Sequence, residues 1–72
     1  MKYRIYRITL NTGDWYEVAS ESRWRAITSL VATHYETLTV NEFRKLYKPR
    51  TKATSIFVQQ PDVLYSNTYE VE

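Results

Sequence analysis

Gly13 is the only glycine in this chain, and that scarcity restricts where the backbone can turn. Left-handed backbone costs any other L-residue roughly 1–2 kcal/mol. A tight reversal is therefore expected at Asn11-Thr12-Gly13, between KYRIYRITL and DWYEVA. A loop of this composition suits a type I turn followed by a left-handed, bulged glycine. Strands are expected over residues 2 to 10 and 14 to 19, folded back antiparallel. In the first, Tyr6, Ile8 and Leu10 share one side while Tyr3 and Ile5 share the other, so both faces are partly apolar and one is expected to be a contact surface.

Beyond the hairpin the period changes. Ser20 or Ser22 can cap a helix through RWRAITSLVATHY, with Trp24, Ile27, Leu30, Val31 and Tyr35 near the 3.6-residue repeat. Glu21 is expected in its first turn and His34 near its end, each favourable to the helix dipole. Thr39-Val40-Asn41-Glu42 has capping-box spacing, and Leu38 with Phe43 fits the accompanying hydrophobic staple. A short helix should start at Val40, bury Val40, Phe43, Leu46 and Tyr47 on one face, and stop before Pro49.

ATSIFVQ reads as a third strand, Pro61-Asp62 as a turn, and residues 63 to 71 as a fourth strand with Val63, Tyr65, Tyr69 and Val71 in one parity. A local turn or bulge near Ser66-Asn67 is the alternative there. The expected architecture is α+β, in the order β-β-α-α-β-β, with helices packed on one face of an antiparallel sheet and residues 1 to 72 forming one domain.

A chain of 72 residues buries only about 60% of its unfolded surface, so its core must be filled efficiently. Eleven aromatic rings supply the means, at about 150–250 Å² each. Cysteine is absent, which removes disulfides and thiolate metal sites and fits a reducing, intracellular setting. MKYRIYRITL lacks the apolar run of a signal peptide, and no segment approaches the roughly 20 apolar residues of a membrane span. A soluble, cytoplasmic protein with no membrane association is expected.

The same lone glycine argues against phosphate-cradling loops and against the Gly-dependent signatures of KH and RRM domains. His34 stands alone, whereas a catalytic metal takes about three protein ligands, so helix capping or packing explains it better than ligation. Ser55, His34 and Asp62 can be nominated as nucleophile, base and acid, but no motif joins them. Glu17, Glu21, Glu36 and Glu42 are spread over separate elements. Neither catalysis nor a cofactor or metal is expected.

Charge is polarised. The formal net charge is +2, yet Arg44, Lys45, Lys48, Arg50 and Lys52 put +5 into RKLYKPRTK, leaving −3 elsewhere. Lys2, Arg4 and Arg7 form a second excess. One reading is nucleic-acid binding: the run contacts phosphates, Arg4 and Arg7 extend the track, and Tyr47, Trp15 or Tyr16 offers a stacking surface. A helix-turn-helix over residues 21 to 47 fits poorly, because HYETLT is long for its turn and a third helix is missing. The bland reading of the run is a helix end followed by a polar loop.

The reading favoured by the sequence is protein binding. The rings exceed what a small core absorbs, and Tyr, Trp and Arg dominate interface hot spots. Tyr3, Tyr6, Arg7, Trp15, Tyr16 and Tyr69 are the candidates, either for a larger protein or for self-association of a monomer into a homodimer. In length, absence of cysteine and absence of catalytic motifs, the chain is similar in kind to small accessory proteins with which bacteriophages bind and inhibit host machinery. That resemblance implies stoichiometric docking that occludes a partner's working surface.

Overall fold

The computed structural model describes residues 2–59 and the backbone of residues 62–66. Its elements are β1 (Tyr3–Thr9), β2 (Trp15–Ser20), α1 (Arg23–His34), α2 (Val40–Tyr47), β3 (Arg50–Val58) and β4 (Asp62–Ser66). The strands form one antiparallel sheet in the order β3-β1-β2-β4. The α+β class expected from the sequence is the class observed. The Pro61 turn and the strand positions Tyr69 and Val71 lie outside the described residues, as does Asn67.

The hairpin between β1 and β2 closes through Gly13, whose φ is 95°. Its N–H donates to the Leu10 carbonyl at 3.0 Å, and the Leu10 N–H donates to Asp14 O at 2.8 Å. Those two bonds define a type I turn ended by a glycine bulge.

Register settles the face left open by parity. Tyr6 pairs with Val18 and Ile8 with Tyr16, and these four residues join Leu10 in the core with Ala26, Ile27, Leu30, Val31 and Phe43. Ile8, Val18, Leu30, Ala26 and Phe43 are fully enclosed. The opposite face carries Tyr3, Ile5, Arg7 and Thr9 of β1 and Trp15, Glu17 and Ala19 of β2, because side chains alternate. Ile5 and Ala19, paired across the strands, are buried there too. This buried pair separates half-buried Tyr3 at one end of the face from exposed Arg7 at the other.

Ser22 caps α1, its hydroxyl accepting from the Arg25 N–H at 3.2 Å. Glu21 consequently lies before the cap and not in the first turn, and it pairs with Arg25 at 3.5 Å. Trp24 departs from expectation as well: it is 51% exposed. Ala26, Ile27, Leu30 and Val31 form the buried stripe, and Trp24 sits about a quarter turn from its centre. At α2 the box is complete. The Thr39 hydroxyl accepts from Glu42 N–H at 3.1 Å, and a Glu42 carboxylate oxygen accepts from Thr39 N–H at 2.9 Å. Phe43 is buried and Leu38, Val40 and Tyr47 pack against the core, whereas Leu46 is 59% exposed.

Candidate functional site

The basic run does not remain together as a helix end and a loop. Lys48 closes α2 in left-handed conformation (φ 47°, ψ 59°), its N–H donating to Arg44 O at 3.0 Å. After Pro49 the chain enters β3 at Arg50, so Arg50 and Lys52 are strand residues and not loop residues. Arg50 pairs with Thr9 and Lys52 with Arg7, which places both cations on the sheet face away from the helices. Thr51 and Ala53, opposite Ile8 and Tyr6, share the helix side instead.

A hairpin residue fixes this junction. Asn11 donates from its backbone N–H to Tyr47 O and from its side-chain amide to Leu46 O, both at 2.9 Å. The hairpin tip thus takes the last carbonyls of α2, groups that a lysine head could otherwise satisfy. Nothing in the sequence around Asn11 marked this role beyond its place in a turn.

Two adjoining hollows result. One, of about 510 Å³, is lined by Asn41, Arg44, Lys45, Lys48 and Pro49. The other, of about 250 Å³, is lined by Thr9, Leu10, Asn11, Lys48 and Arg50. They share Lys48, and among the described residues neither has an acidic lining residue. Among the described residues the ion pairs are Arg7 with Glu17 and Arg25 with Glu21, and within that set none involves Arg44, Lys45, Lys48, Arg50 or Lys52.

Arg7 continues the track onto the sheet. Its guanidinium carbon lies 4.1 Å from the Trp15 ring centroid, and Nη2 lies 3.5 Å from a Glu17 carboxylate oxygen. Arg4 sits over Phe57 at 4.8 Å and Arg44 over Trp24 at 5.5 Å. Each of these exposed or half-buried rings thus carries a guanidinium on its face.

The interface candidates separate. Tyr6 and Tyr16 are 8% and 4% exposed and belong to the core, which removes both as docking groups and removes Tyr16 as a stacking platform. The reason is parity: both share the face that α1 and α2 cover. Tyr16 meets Tyr35 through their hydroxyls at 2.8 Å and has the His34 ring at 5.3 Å. Burial, then this hydrogen bond, pushes the Tyr35 hydroxyl well above the usual tyrosine range. Tyr47 packs its ring against Tyr35 and Phe43, each centroid 5.2 Å away, so it too is structural. Tyr3, Arg7 and Trp15 keep accessible surface, and Tyr69 lies outside the described residues.

Among the described residues, no cluster of three or more His, Asp or Glu side chains could hold a metal, and no helix is long and apolar enough to cross a membrane. No protein family, curated protein or solved structure matches this chain.

Proposed function

We propose that this chain is a non-enzymatic binding protein whose basic track holds the phosphate backbone of a nucleic acid. The observation that carries this reading is the pair of hollows sharing Lys48, walled by Arg44, Lys45, Lys48 and Arg50 with no acid among the described lining residues. A helix C-terminus attracts cations on its own account. Here, however, Asn11 takes the Leu46 and Tyr47 carbonyls, and Arg50 and Lys52 lie beyond the helix. Like charges held together repel, and a polyanion relieves that repulsion while releasing its own counterions.

The test is binding of fluorescent single- and double-stranded nucleic acids at low and near-physiological salt, for wild type and a variant carrying Lys45→Gln, Lys48→Gln, Arg50→Gln and Lys52→Gln. The expected result is a steep salt dependence whose slope shrinks by about 0.7–0.9 for each phosphate contact removed. No binding at low salt, or equal binding by the variant, defeats the reading.

One observation favours docking on a larger protein, with the stoichiometric occlusion used by phage inhibitors of host machinery. Trp24 is half exposed beside a cleft of about 590 Å³ that also takes in Tyr3, and Trp anchors dominate hot spots. With Tyr6 and Tyr16 enclosed, this reading keeps fewer anchors than the composition suggested.

A further inference from the structure

We infer that the ligand is single-stranded, lying with its phosphates along β3 and its bases against the Arg7–Trp15 pair; this rests on the phosphate reading above. The argument is the grading of charge across the open sheet face. Lys52, Arg7 and Glu17 form one row over β3, β1 and β2, and Arg50, Thr9 and Trp15 form the next. Adjacent strands are about 4.8 Å apart, so cation and carboxylate edges are separated by about 10 Å. A phosphate above β2 meets Glu17, whereas one above β3 meets Lys52 and Arg50. The backbone is thereby confined to the β3 side, and it connects there with the hollows around Lys48.

Bases projecting from that line reach β1 and β2. What they meet is a planar guanidinium whose carbon lies over an indole, 4.1 Å from its centroid, and which is steadied by Glu17 at 3.5 Å. The Arg7 side chain is 46% exposed, so its outer face is available. A guanidinium plane accepts a stacked base as an aromatic face does, and two-sided support reduces the freedom Arg7 loses on binding. In a duplex the base faces are already stacked on one another. The surface therefore discriminates by strandedness without reading sequence.

The test uses an oligothymidine, an abasic strand of equal length and a duplex of equal length, titrated at low salt into wild type and Arg7→Lys, with circular dichroism confirming the fold. A Trp24→Phe background leaves Trp15 as the sole tryptophan, so a base arriving on the Arg7–Trp15 pair is read as a change in its fluorescence. The expected result is that oligothymidine binds about fivefold or more tighter than the abasic strand and perturbs Trp15 fluorescence, a preference that collapses in Arg7→Lys. Equal affinity for oligothymidine and abasic strand, or tighter binding of the duplex, overturns the inference and leaves phosphate binding standing. Failure of all three probes to bind overturns both.

Discussion

The hydroxyl oxygens of Tyr16 and Tyr35 lie 2.8 Å apart, joining β2 to the residue that closes α1. Around them the rings of His34, Phe43 and Tyr47 complete an aromatic layer between sheet and helices. Either hydroxyl can donate, and removing one leaves the other, part-buried, without its partner. Tyr16→Phe and Tyr35→Phe are each expected to lower stability by about 0.5–1.5 kcal/mol. Because both remove the same bond, the double variant should lose less than the sum, and urea denaturation of the full cycle measures the difference. Strict additivity would show that the bond contributes nothing to the fold.

The same hydroxyl gives a pH dependence. Tyr35 is raised above its ordinary value, first by burial and then by the bond to Tyr16. The folded protein thus holds this proton at pH values where the unfolded chain, titrating at about 10, has released it. Its contribution is fully present below about pH 10 and is lost as pH rises toward the folded value. Urea midpoints measured from about pH 9 to 11 should fall more steeply for wild type than for Tyr35→Phe. Parallel curves would remove Tyr35 from the alkaline transition.

At the start of α2, Thr39 and Glu42 satisfy each other's N–H groups. Thr39→Ala is expected to cost about 1 kcal/mol. In a domain of this size that corresponds to a drop of about 4–8 °C in Tm. Glu42→Gln keeps an oxygen acceptor and should cost less. Equal losses would mean that the Glu42 charge near the helix N-terminus contributes as much as the Thr39 cap bond.

That box and the Gly13 turn were legible in the sequence because each is satisfied within a few residues, whereas the cap of α1 was narrowed only to Ser20 or Ser22. Tyr6 and Tyr16 were misplaced for a different reason. Alternation shows which side chains share a face, but not which face the helices will cover. Trp24 fits the helical repeat yet lies at the flank of a stripe completed by Ala26, and a small residue leaves little periodic signal. Arg50 and Lys52 hid in a basic run that continues straight from a helix. Their common face emerges only when β3 pairs with β1, a contact more than forty residues away along the chain.

Lys48 occupies both the strained point of the backbone and the centre of the basic track. It is the only non-glycine with positive φ among the described residues, and it lines both hollows. Glycine at this position removes the clash of Cβ with the backbone, offset in part by a more flexible unfolded chain. Lys48→Gly should therefore raise stability by about 0.5–1 kcal/mol. The same change deletes the cation the two hollows share, so nucleic-acid affinity should fall and the salt slope should lessen by about one contact. The two measurements are expected to move in opposite directions, as they do where local strain is retained for binding. A gain in stability with affinity and slope intact would show that the strain at Lys48 serves no ligand and that the track lies elsewhere.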